Sequence, residues 1–273
     1  MAKSETMEYG RVRPAAVAGR FYPRDPTELR NLVNMLLAQV PPATGPGPKA
    51  LIAPHAGYLY SGPIAASAYA QLLPARDQIQ RVVLLGPSHY VAVKGLATSS
   101  AEAFATPLGL VPVDLAAVRQ VRLLPHVREL DGAHADEHSL EVQLPFLQTV
   151  LGEFALVPLA VGDTTPEEVS QVLDTLWGGP ETRFVISSDL SHYHDCQTAQ
   201  RLDKATAKAI EALQPEGVGE ERACGRIPIR GLLQAARRHG LRARTVDLRS
   251  SGDTAGPRDK VVGYGAFVFE EGS

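Results

Sequence analysis

Apolar positions along this chain fall into two kinds of run. In "LRNLVNMLLAQV" (29–40) and "VSQVLDTLW" (169–177) they recur every three or four residues, the spacing of one face of a helix. Each run follows a start signal. Asp25-Pro26-Thr27-Glu28 supplies an N-cap, a proline at the first helical position and a glutamate at the third, and Thr165-Pro166-Glu167-Glu168 repeats the device. Further helices are expected over 62–73, 139–151, 196–213 and 228–239, the last closed by Gly240. The second kind of run is continuously apolar or β-branched and of strand length: "ALIA" (50–53), "RVVLLG" (81–86), "FALVPLAVG" (154–162), "RFVISS" (183–188) and "VGYGAFVFE" (262–270). Strands without polar alternation are covered on both faces. The pattern predicts a single α/β domain over 13–273, a three-layer α/β/α sandwich with a mostly parallel or mixed central sheet, behind a flexible segment at 1–12. "TPLGLVPVD" (106–114) reads as a hairpin or edge element, and "PPATGPGP" (41–48) as a surface connection.

Composition narrows the class without naming a function. The 273 residues suffice for a sizeable core. With 27 Lys and Arg against 30 Asp and Glu, the net charge is −3 and no run of one sign occurs, which argues against a nucleic-acid or membrane surface. No stretch approaches the roughly 18 apolar residues of a spanning helix, and Met1–Arg13 is mixed and charged without an apolar core. The expectation is a soluble cytoplasmic protein. Two cysteines, Cys196 and Cys224, are too few for a disulfide scaffold.

The chemistry concentrates where strands end. His55, in "APHAGYLYSG", follows the run ending at Ala53; His89 follows "VVLLGPS"; His192 follows "FVISSDLS". In a parallel sheet such ends share one edge, where ligands bind, so three histidines distant in sequence are expected to converge. Neutral imidazole is the commonest protein metal ligand, and rigid strand ends hold an ion with open positions. Cys224, in "ERACGRIPI", has Arg222 and Arg226 beside it and a helix start near Pro228, both of which favour a thiolate; the other reading is a small buried side chain. A second polar cluster, "DGAHADEHSLEVQLPFL" (131–147), spaces His134, Glu137, His138 and Glu141 by three and four residues. It is not H-E-x-x-H. It reads either as a solvated helix entrance or as a pocket wall in which His138 or Glu141 supports the ligating residues or meets a substrate. Asp189 is an orienting carboxylate or a loop cap, and Tyr58, Tyr193 and His194 are candidates for the mouth of the same site.

"AGRFYP" (18–23), "APHAGYLYSG" (53–62), "GPSHY" (86–90), "TPLG" (106–109), "EHSLEVQLPFL" (137–147), "SSDLSHY" (187–193), "CGRIPI" (224–229), "SGD" (251–253) and "VGYGAF" (262–267) stand in the order seen in the Memo family, which the chain resembles from about Arg13 onward. That family is known in eukaryotes as a mediator of cell motility. In prokaryotes it is named AmmeMemoRadiSam system protein B, after its association with AMMECR-type and radical SAM proteins. The resemblance implies a fold like that of the class III extradiol (LigB-like) dioxygenases, which are non-haem iron enzymes. It implies His55, His89 and Cys224 as metal ligands, His192 as the acid/base and Asp189 beside it. A cysteine standing where the dioxygenases use a carboxylate puts ring cleavage in doubt and admits copper. The expected cofactor is Fe(II), with copper second and zinc third. Two functions are in view: a metal-dependent oxidoreductase, or a binding module whose crevice takes a peptide or small metabolite through Tyr58, His138, Glu141, Tyr193 and Arg226. The same ligands would also suit metal-assisted hydrolysis.

Overall fold

A computed structural model of the chain describes residues 9–272. In chain order its strands are β1 (Val12–Arg13), β2 (Ala50–Ala53), β3 (Arg81–Pro87), β4 (Leu96–Thr98), β5 (Ala103–Thr106), β6 (Gly109–Pro112), β7 (Val127–Glu129), β8 (Ala155–Val161), β9 (Thr182–Ser187), β10 (His192–His194), β11 (Leu241–Ser250) and β12 (Val261–Glu271). The helices are α1 (Pro26–Ala38), α2 (Tyr58–Tyr69), α3 (Leu115–Val121), α4 (Gly132–Ala135), α5 (His138–Glu141), α6 (Leu144–Leu151), α7 (Pro166–Thr175), α8 (Cys196–Glu211) and α9 (Arg226–Arg238).

The continuous apolar runs form the centre of the sheet. β2, β9, β3 and β8 lie side by side and parallel, with Val82 to Leu85 and Phe184 to Ile186 fully buried. Antiparallel β12 flanks β2 and itself carries β10 and β11, while antiparallel β4 flanks β8 and carries β7. The result is a nine-stranded mixed sheet. Helices α1, α2 and α6 pack together on one face, and α3, α7, α8 and α9 cover the other. This is the expected three-layer α/β arrangement. The segment around "TPLG" is a hairpin, β5 and β6 paired with Thr106 opposite Gly109, and β1 adds to it in parallel.

Both start signals work as caps. Asp25 accepts from the backbone N–H of Thr27 and Glu28, and Thr165 and Glu168 form a reciprocal capping box. Two expected helices differ in extent. The one placed at 62–73 begins at Tyr58, so Pro63 lies in its second turn, and the chain tightens into a 3-10 helix from Ala70 to Gln78. The one placed at 139–151 is two helices, because Pro145 has no N–H for the Glu141 carbonyl and instead opens α6. The first eight residues of the segment expected to be flexible lie outside the described residues. Of the remainder, Gly10 donates to Glu102 at 2.8 Å and Val12 pairs in β1. Among the described residues, no helix is long and apolar enough to cross a membrane.

Candidate metal centre

Parallel strand order brings the separate motifs to one edge. His55 stands two residues past β2, His89 two past β3 and Asp189 two past β9. The rings of His55 and His89 meet edge to face with centroids 5.2 Å apart. The short helix α5 adds His138, whose ring stacks on His89 at 4.6 Å and meets His55 edge-on at 5.4 Å. One nitrogen from each of His55, His89 and His138 lies within 4.8 Å of the others. Cys224, just ahead of α9, places Sγ 3.2 Å from His55 Nε2.

The surrounding hydrogen bonds prepare these groups as ligands. Glu137 accepts from the backbone N–H of His89 at 2.6 Å and pairs with His89 Nδ1 at 2.9 Å. This carboxylate–imidazole arrangement leaves Nε2 for a metal. Burial works to raise the Glu137 pKa, but the bonds from His89 and from the Ser139 amide outweigh it and hold the group at about 2. Burial, reinforced by the neighbouring imidazoles, lowers His55 to about 3 and His138 to about 4, so both rings are neutral at pH 7. His138 Nδ1 is buried and makes no hydrogen bond among the described residues, lying 3.5 Å from Glu137 Oε1. Cys224 Sγ accepts the Asp189 backbone N–H at 3.3 Å, a contact suited to a metal-bound thiolate, although burial and then the Asp189 charge push the unmetallated thiol up to about 12. Clustered neutral imidazoles, an unpartnered buried nitrogen and a sulfur that receives an N–H donor fit a borderline or soft transition metal.

The other expected site residues divide. His192 lines a cavity of about 360 Å³ with Cys224 and Arg226, and Cys224 and Arg226 also line one of about 290 Å³. Asp189, buried with its pKa raised by that burial, makes no hydrogen bond to His192. Its carboxylate takes the His55 backbone N–H at 2.8 Å and so braces the loop that carries a ligand. Tyr58 is a core residue, its hydroxyl donating to the Val142 carbonyl at 2.6 Å. Glu141 is fully buried and faces the N-terminal segment. It pairs with Arg13 and accepts from Tyr22 and from the amides of Ala16 and Val17. Both side chains are thus engaged by the protein itself. Tyr193 is 69% exposed with Lys260 over its ring, turned outward beside His192. His134 is buried elsewhere, against Phe104 and the Ala97 carbonyl. The cluster at 131–147 is therefore no solvated helix entrance, since Glu137 and Glu141 are both buried. A cavity of about 530 Å³ beside Leu108, Leu110 and Phe154 lies away from all these groups.

A mixed α/β sandwich whose strand ends gather three imidazoles and a thiol defines a class of protein with a candidate metal centre. A family model described as Memo-like protein matches residues 13–268. MEMO1 family proteins of Aquifex aeolicus and Methanopyrus kandleri are each 36% identical to this chain over 95% of its length and 99% of theirs. The chain belongs to the Memo family. A solved structure of an uncharacterized protein from Escherichia coli K12 aligns with 80% of the chain and 98% of its own, at 14% identity and a TM-score of 0.49.

Proposed function

We propose that this Memo-family protein binds a transition metal, redox-active Fe(II) before copper and either before zinc, through His55, His89 and Cys224, with His138 against the same position. The observation that carries the reading is that one ring nitrogen from each of His55, His89 and His138 lies within 4.8 Å of the others, with Glu137 on His89 Nδ1 and Cys224 Sγ 3.2 Å from His55 Nε2. A bound iron or copper ion would supply one-electron chemistry toward dioxygen or an oxidisable substrate. The chain's own contributions are separable from it. His192, in the wall of a cavity that Cys224 also lines, would accept or give a proton at its ring nitrogens. Asp189 and Glu137 hold the ligand loops, and the backbone N–H of Asp189 supports the sulfur.

One observation favours a second reading, a binding module. Arg226 forms no ion pair among the described residues and borders both of the cavities that Cys224 lines, a position suited to the anionic group of a small metabolite or peptide.

Elemental analysis of protein purified without oxygen or added metal separates these readings. Near-stoichiometric iron or copper is expected in the wild type, with loss in His55→Ala and Cys224→Ser while circular dichroism and Tm show the fold intact. Absence of metal from the wild type, even after reconstitution with Fe(II) or Cu(I), would overturn the metal reading. Zinc with no redox response would transfer the site to metal-assisted hydrolysis.

A further inference from the structure

Behind His55 lies a buried polar chain in which every hydrogen can be placed. The Pro54 carbonyl can only accept, and it lies 2.9 Å from the Gln143 amide nitrogen. The amide therefore points its NH₂ toward Pro54, and its oxygen accepts from the Tyr69 hydroxyl at 2.8 Å. The second amide hydrogen reaches Ser187 Oγ at 2.8 Å. The Ser139 carbonyl, again acceptor only, lies 2.5 Å from Ser187 Oγ and takes the hydroxyl proton. Ser187 Oγ has then no proton left to give. The imidazole Nδ1 of His55, 2.8 Å away, must be the donor. Tyr69, Ser139, Gln143 and Ser187 are all fully buried, so water offers no alternative partner.

We propose that Ser187, itself oriented by Gln143, is a positioning residue that locks His55 in its Nδ1–H tautomer and keeps the Nε2 lone pair turned toward Cys224 Sγ. Which imidazole nitrogen carries the proton is set by the bond the other nitrogen makes. Glu137 does this for His89 with a carboxylate; for His55 the same task falls to a neutral hydroxyl whose only proton is already committed. Replacing Ser187 by alanine removes the acceptor and frees the ring to carry its proton on Nε2, where it donates to the sulfur and occupies the ligand position. The tautomer assignment stands on the metal-free chain, and its consequence for an ion rests on the function proposed above.

Long-range ¹H–¹⁵N NMR of the metal-free, full-length protein with ¹⁵N-labelled histidine reads the tautomer directly. The wild type is expected to show a protonated Nδ1 and an unprotonated Nε2 at His55; an Nε2–H form in the wild type overturns the assignment, whatever the stability of any variant. Ser187→Ala is expected to populate the Nε2–H form and to weaken Co(II) binding about 10- to 100-fold, the range seen when partners of metal-ligating histidines are removed. A variant that keeps His55 entirely Nδ1–H would show that Ser187 does not set it. Failure of the wild type to bind any metal would leave the NMR result standing and count against the metal reading alone.

Discussion

At the scale of single residues, the roles of the buried carboxylates divide sharply. Glu137 serves the candidate centre, whereas Glu141, four residues on, is spent on the N-terminal segment, where it pairs with Arg13 and receives two backbone amides. Removing one partner of a buried ion pair leaves an uncompensated charge and costs about 3–5 kcal/mol. Glu141→Gln should therefore lower the unfolding free energy measured by urea denaturation by an amount of that order while metal stoichiometry is preserved. Loss of metal with unchanged stability would instead return Glu141 to the site. The contrast also marks what the sequence could tell. His55, His89, Asp189 and Cys224 were legible because each follows or precedes an element whose end is punctuated by glycine, proline or serine. Tyr58 and Glu141 lie in the core with protein partners, and this was not legible because neither a place after a strand end nor helical spacing says what a side chain meets. Ser187 and Gln143 gave no signal, since a serine ending an apolar run and a glutamine in a helical stretch look the same whether or not they hold a ligand.

At the scale of elements, one junction carries much of the site. α9 begins at Arg226 with its first turn pressed against the end of β9, and Gly225 donates its N–H to Ser188 Oγ at 2.9 Å. A Cβ on Gly225 would stand 2.6 Å from Ser188 Cβ and 2.8 Å from the Ser187 carbonyl oxygen, so only glycine permits this approach. Cys224 is the next residue back, held between the Asp189 amide and His55. Gly225→Ala should cost about 1–3 kcal/mol through overpacking. It should also displace the thiol, read as a fall in Fe(II) affinity in a competition titration; an alanine variant with wild-type stability and affinity would rule out the close approach. The long elements were readable from the chain for plain reasons: capped helices and both-face-buried strands have strong patterns. β4, β7 and β10 span three residues each, too few for any period to show. β11 is ten residues long but carries Arg242, Arg244 and Arg249 and a register shift between Thr245 and Asp247. These features belong to an edge strand that discourages further pairing, and they mask its strand character.

At the scale of the whole molecule, the two ends of the parallel strands carry opposite kinds of polar burial. The carboxyl ends collect neutral imidazoles beside cavities. At the amino ends Lys49, immediately before β2, is buried with its Nζ donating to the carbonyls of Trp177, Gly179 and Thr182 and lying over the rings of Trp177 and Phe184. Those carbonyls close the turn between α7 and β9, so the cation pins the base of the sheet while forming no ion pair among the described residues. Burial, with the charge of Arg183 acting in the same sense, lowers its pKa from 10.5 to about 8. The sign of the linkage follows. Between pH 8 and about 10.5 the unfolded chain holds the Lys49 proton more tightly than the folded one, so stability rises with pH across that window. Below pH 8 the cost of burying the charge is present in full. Lys49→Met removes the titrating group while keeping much of the apolar stem. Urea midpoints measured from pH 6 to 10.5 should therefore show the wild type gaining on this variant as pH rises through 8, with little change between pH 6 and 7. A constant difference across the range would mean that Lys49 titrates alike in the folded and unfolded chains, and that the carbonyl cage fully offsets its burial.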